Sequence, residues 1–139
     1  MMSDIRSIFD ISGRAMASQL VRLNTVASNL ANAGTISGSK ETAFRSLKPV
    51  FETQFADSMK HSGIATVDVV GIKEIARDPE RAFMPDHPEA DADGFVYRAA
   101  VDENEEMIEM VEASRQYQNN VEVVSTMRAL MMRTMNMGK

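Results

Sequence analysis

Cysteine and tryptophan are absent from this 139-residue sequence. Without thiols the chain forms no disulfide and no zinc–thiolate site, and it is indifferent to the redox state of its compartment. Proline occurs four times, never before Pro49, so no proline breaks a helix in the first third. The two histidines, His61 and His87, lie far apart. Nothing in their spacing pairs them for metal binding or general-base work, and a solvated surface role is the plainer reading. Positive charge is never concentrated. Residues 1–32 carry three Arg against two Asp (+1), residues 33–100 eight basic against eleven acidic groups (−3), and residues 101–139 four against seven (−3), which sums to the net −5. A nucleic-acid surface is therefore not expected. No apolar run approaches the roughly 18 residues of a membrane span, so no membrane insertion is expected. Asp4, Arg6, Asp10 and Arg14 interrupt every window that could serve as a cleaved secretory signal. There is no Gly-x-Ser-x-Gly elbow and no phosphate-cradling Gly-rich loop. With a middle of only about 65 residues to hold a pocket, the sequence points away from an enzyme and implies no catalytic, cofactor or metal residue.

What the chain does have is a helical period at each end. Phe9, Gly13, Met16, Leu20, Leu23, Ala27 and Leu30 recur at alternating steps of four and three, and Met110, Ala113, Tyr117, Asn120, Val124, Met127 and Met131 do the same. That repeat belongs to a helix lying along other helices. The predicted fold is mainly α with a small β middle. An N-terminal helix (domain 1–33) and a C-terminal helix (domain 101–139) pack as a coiled coil around a small antiparallel β-rich insert (34–100). A helix of roughly 30 residues is about 45 Å long, more than such a middle covers. The stripes ask for partners, either each other or neighbouring subunits. Seven of the 12 methionines lie in the last 33 residues. They are either core filling or the adaptable surface of a helix that meets non-identical neighbours.

Local signals refine this outline. The first helix is expected over about 4–32, capped by Ser3 or Asp4 and stopped by Asn32 and a left-handed Gly34. Residues 33–42 read as loop, 43–53 as an edge strand because of Pro49, and 54–62 are ambiguous. The best strand is Thr66 to Ile75, with Gly71 marking a bulge. Residues 85–94 are turn chemistry, and Phe95 to Tyr97 form a short returning strand. Asp102 with Glu105 has capping-box spacing. It opens a helix whose early acids and later Arg128 and Arg133 suit the dipole. Glu89, Asp91, Asp93 and Gly94 imitate the start of a calcium loop, but Ala100 stands where the bidentate acid belongs, so a polar turn is expected.

Asparagine inside helices is costly, because its amide competes for backbone bonds. Asn24, Asn29, Asn32, Asn119 and Asn120 therefore lie either on a solvated face or buried between helices, where they fix register. Arg115 and Tyr117 could bridge neighbours, one through its donor fork and the other through its ring and hydroxyl.

The run Leu23-Asn24-Thr25-Val26-Ala27-Ser28-Asn29-Leu30-Ala31-Asn32-Ala33 resembles the N-terminal signature of flagellar axial proteins, the rod and hook family. Glu106 through Val123, containing Ser114-Arg115-Gln116-Tyr117-Gln118-Asn119-Asn120, resembles its C-terminal partner. The short middle (Phe44 to Glu52, Asp86 to Val96, Val101-Asp102) and the ending Met131-Met132-Arg133-Thr134-Met135 resemble the proximal-rod member rather than the longer distal-rod and hook proteins. Gly34, Ala99-Ala100 and Asn119 depart from the usual pattern.

The resemblance implies a structural subunit of the basal-body rod, exported unfolded and without a cleaved signal through the flagellar type III apparatus. It would assemble in the periplasm with copies of itself and other rod proteins as the hollow drive shaft, its terminal helices lining the channel. The expected assembly interface is Phe9, Met16, Leu20, Leu23, Asn24, Ala27, Asn29, Leu30 and Asn32 on the first helix. On the second it is Met110, Ala113, Arg115, Tyr117, Asn120, Val124, Met127 and Met131. Two rival readings are a soluble coiled-coil adaptor or secretion-associated chaperone, and a small hydrolase using His87 or the acidic loop.

Overall fold

A computed structural model describes residues 2–54 and 66–137. The chain begins with helix α1 (Met2–Asn32) and ends with helix α2 (Glu103–Met137). Between them lie five strands: β1 (Ile36–Ser37), β2 (Leu47–Gln54), β3 (Thr66–Glu74), β4 (Arg81–Phe83) and β5 (Phe95–Arg98). They form two small antiparallel sheets, a three-stranded one of order β1-β5-β4 and a two-stranded ribbon β2-β3. His61 and most of the ambiguous segment 54–62 lie outside the described residues, as do the side chains of Ser3 and Asp4.

The helices run antiparallel, since Gln19 meets Gln116 while Arg22 meets Glu109. Asp102 caps α2 as expected. Its Oδ1 accepts from the backbone N–H groups of Asn104 (3.0 Å) and Glu105 (3.1 Å). The reciprocal half of a capping box is missing, because the Glu105 carboxylate turns to Lys48 and Arg77 instead. The last described turn of α2 holds no basic residue, so Arg133 acts on the dipole only from a turn further in. Gly34 does not take the left-handed conformation; among the described residues only Gly94 does, at φ 80°. Helix α1 is closed by tight-turn bonds, with Ala33 N donating to Leu30 O and Thr35 N to Asn32 O.

β2 and β3 pair along their full lengths, and the register slips between Val50 and Phe51, which face Gly71 and Val69. The extra residue is Val70, beside the glycine that signalled a bulge. The strand expected from residue 43 starts at Leu47. Arg45 makes only an isolated parallel bridge with Ala100. β1 lies in the segment read as loop, and β4 had no counterpart in the sequence reading. Strands of two and three residues are too short to show a period. β5 creates both: Ile36 and Ser37 pair with Arg98 and Tyr97, and Phe83 pairs with Phe95. The Phe83 and Phe95 rings meet edge to face at 5.1 Å, with the Arg81 guanidinium 3.7 Å over Phe95. Val96, fully buried, anchors this sheet. Asp91 Oδ1 accepts from Asp93 N and Phe95 N, so the acidic loop is an Asx turn feeding β5.

Candidate assembly interface

Among the described residues the terminal helices pack on each other, and the β2-β3 ribbon meets the side of α1 that carries Arg14, Ser18 and Asn29. Three contacts define that side. Arg14 reaches Asp68 of β3 at 3.0 Å, the Ser18 hydroxyl donates to the Val67 carbonyl at 3.2 Å, and Asn29 reaches β2. Toward α2, Gln19 donates to Gln116 at 3.0 Å and the Arg22 guanidinium clasps Glu109. Ser12, Thr25 and Val26 are buried as well. The buried side of α1 is thus largely polar.

At its centre is a hub built on Ser46, which is 2% exposed. Its N–H donates to Ala100 O and its carbonyl accepts from Ile75 N. Its hydroxyl donates to Oε1 of Glu106 on α2 and accepts from Asn29 Nδ2 on α1 at 2.9 Å. Asn29, fully buried, also donates to Leu47 O (2.8 Å) and accepts from Leu47 N (2.9 Å). One residue therefore ties both helices to both β2 and the end of β3. Glu106 is 3% exposed, and a buried carboxylate needs donors of this kind.

Around the hub, ion pairs join the layers. Lys48 Nζ and Arg77 each sit 2.9 Å from Glu105. Hydrogen bonds from Lys48 and then Arg77 hold the Glu105 carboxyl below its ordinary value, and the same bond raises Lys48. Both residues are about two-fifths exposed, so solvent screens the pair and its net effect is small.

The sequence-predicted residues fall into three groups. Asn29 and Ala113 are buried. Phe9, Met16, Leu23, Leu30, Asn32, Met110, Tyr117, Asn120, Val124, Met127 and Met131 are half-buried, while Leu20, Asn24, Ala27 and Arg115 are exposed. On α2 every predicted residue but Arg115 is shielded, and the buried Ala113 lies between Glu109 and Gln116, which meet α1. On α1 the predicted stripe is displaced from the contact with α2, which uses Gln19 and Arg22. Counting round the helix from those residues and from Ser18, it sits on the side turned from the ribbon. Glu106 and Ser46 were not picked out as site residues by the sequence, and Glu105 was picked out only as a capping partner of Asp102. The signals present were an acid at a helical position with a helix-breaking serine just before Leu47, which are too common to single out.

Both ends of the chain match sequence models of flagellar proteins. Residues 9–35 match "Flagella basal body rod protein" and residues 92–137 match "Flagellar basal body rod FlgEFG protein C-terminal". The flagellar basal-body rod protein FlgC of Salmonella typhimurium is 37% identical over 134 residues, which is 96% of this chain and 97% of that protein. The chain belongs to the FlgC family of flagellar basal-body rod proteins. FlgC of Escherichia coli is 38% identical over 133 residues (96% and 97% of the two chains), and that of Aquifex aeolicus 35% over 133 residues (96% of each). The first matched region falls on α1 and the turn that closes it, and the second takes in β5 as well as α2, so most of the family signature lies on the two helices. At Ala99, one of the departures, the N–H donates to Thr35 O at 3.0 Å.

Proposed function

We propose that this chain is a structural subunit of the proximal rod that joins copies of itself and other rod proteins through its terminal helices. In this reading it crosses the envelope through the flagellar type III apparatus without a cleaved signal and assembles in the periplasm. There it forms part of a hollow shaft that transmits torque by packing and catalyses nothing. Membership of a rod-protein family supports this. So does the one-sided build of the molecule. With α1 and α2 packed on each other and the ribbon on one side of α1, the other face carries Met16, Leu20, Leu23 and Leu30 of α1 and Met107, Val111 and Val121 of α2. Of these, Leu20, Met107, Val111 and Val121 are 44–58% exposed, and clustered exposed apolar side chains mark an interaction surface.

Deletion of the gene in its own host should abolish swimming and remove the rod from isolated basal bodies, and the intact chain supplied from a plasmid should restore both. Swimming cells with complete rods after deletion would refute the reading. The adaptor alternative draws on the pairing of α1 and α2 within one chain. It predicts that deletion leaves rods intact and impairs only delivery of another protein.

A further inference from the structure

The apolar surface at the far end of α2 is built almost wholly from one functional group. Of the seven apolar side chains between residues 127 and 137, five are methionine, and only Ala129 and Leu130 lack sulfur. Met132, Met135 and Met137 are 55%, 67% and 87% exposed, while Met127 and Met131 are half-buried. On α1 the apolar positions from Leu20 to Leu30 are Leu, Val and Ala, which mild oxidants do not touch. Packing inside the chain does not ask for methionine here. Leucine matches it in volume and helix propensity, and side chains this exposed fill no irregular gap. What methionine alone brings is sulfur.

A two-electron oxidant turns a thioether into a sulfoxide, a polar and chiral group that reductases turn back. With hypochlorous acid the oxygen passes to sulfur, chloride leaves and one proton is released. The chain holds no cysteine and no tryptophan to take the oxidant first. A sulfoxide at Met132 or Met135 puts a strong acceptor oxygen on helical turns whose backbone N–H groups are already spent on the helix. The neighbouring Thr134 hydroxyl is spent as well, on the Leu130 carbonyl at 3.0 Å. Water satisfies the new oxygen while that face is wet. Under an apolar neighbour it has no donor, and the contact loses its advantage.

Resting on the rod reading, we propose that Met132, Met135 and Met137 form an oxidation site that decides whether a copy can join the rod. An unassembled chain meets hypochlorous acid with all three sulfurs in water, and sulfoxide there keeps that copy out until it is reduced. A copy already in place has the same sulfurs covered and is spared. The site thus screens single copies before assembly and leaves finished shafts alone.

Two measurements test this. The purified full-length chain is treated with less than one equivalent of hypochlorous acid per methionine. Peptide mass spectrometry should find sulfoxide at Met132, Met135 and Met137 at least threefold above the half-buried Met16, Met84 and Met110. The two sulfoxide reductases, one per epimer, should restore the parent mass. In the host lacking its own gene, differently tagged copies of the parent and of a variant with Met132→Leu, Met135→Leu and Met137→Leu are then produced together. The dose of oxidant is set so that half of Met135 in the free pool is sulfoxide. If sulfoxide bars its copy, the variant should outnumber the parent at least twofold in isolated basal bodies, relative to the same pair grown without oxidant. Damage to any other protein affects both copies alike. Four results would each overturn the proposal: no preference for the three sites in the purified chain, an unchanged ratio at that dose, equal protection from Met107→Leu, whose methionine is 58% exposed near the start of α2, or Met135 sulfoxide as frequent in rods as in the free pool. The last comparison uses the parent alone, so it stands even if the leucine variant assembles badly. If neither copy is found in basal bodies, the rod reading itself fails, and the ranking of sites in the purified chain is unaffected.

Discussion

Replacing Asn29 by alanine tests the hub directly. The amide makes three hydrogen bonds, to Ser46 Oγ, Leu47 O and Leu47 N, and is fully buried. Alanine leaves both Leu47 backbone groups without their partner, and each unpaired buried group costs about 1–3 kcal/mol. The atoms removed leave a small void worth about 1 kcal/mol more. The sum is a loss of about 3–7 kcal/mol, a large part of the roughly 5–15 kcal/mol that holds a domain folded. With a urea m-value of about 1–1.5 kcal/mol/M, the midpoint followed by circular dichroism at 222 nm should fall by about 2 M or more. Asn24→Ala is the internal control. It sits five residues earlier in the same motif but is exposed, and its stability should stay within about 0.5 kcal/mol of the parent. Equal midpoints for the two variants would refute the assignment of Asn29 as the amide that joins α1 to β2.

Other outcomes follow from the same structure. Leu23→Asp puts a charge on the face turned from the ribbon and should abolish swimming while export continues, read as variant protein in the medium; swimming cells would place that face in solvent. Gly94→Ala forces a side chain into a left-handed backbone, with Phe83 and Pro85 3.0 and 3.2 Å from the new carbon, and should cost about 1–3 kcal/mol, measured as a lower thermal midpoint. The Glu105 carboxyl is lowered and the Lys48 ammonium raised. Their contribution should therefore be constant near neutral pH, fade as pH falls through the lowered Glu105 value, and fade again as pH rises through the raised Lys48 value. Since both are well exposed, Glu105→Gln should cost less than about 1 kcal/mol and flatten the acid limb of the stability curve. His87→Ala should leave swimming unchanged, and a severe loss would reopen the hydrolase reading.

The two long helices were legible because their period of apolar residues runs unbroken for more than 20 residues at each end. The β2-β3 ribbon was legible from its β-branched third strand, and Gly71 announced the bulge at its side. The side of α1 that meets α2 was not legible. Pattern reading assigns apolar residues to the contact inside the chain, whereas here Gln19, Arg22 and Asn29 make the internal contacts and Leu20 is left outside. A sequence does not say which of two apolar faces is satisfied at home. The asparagines show the same limit. Asn24, Asn29 and Asn32 look alike in the motif, yet one is exposed, one is the buried centre of a network, and one merely bonds back to the Ser28 carbonyl. The capping box failed for a related reason. Glu105 had the right spacing, but two cations from elsewhere in the chain competed for it and won.

Ser46 sits between partners 17 positions before it and 60 after it. A polypeptide that emerges N-terminus first, from a ribosome or from a narrow conduit, thus has its opening segment waiting on its closing one. Until Glu106 arrives, the latch has a keeper and no bolt, and α1 has neither its long neighbour nor the acid that completes its anchorage. The tie through Ser46 is complete only once the last helix has been added.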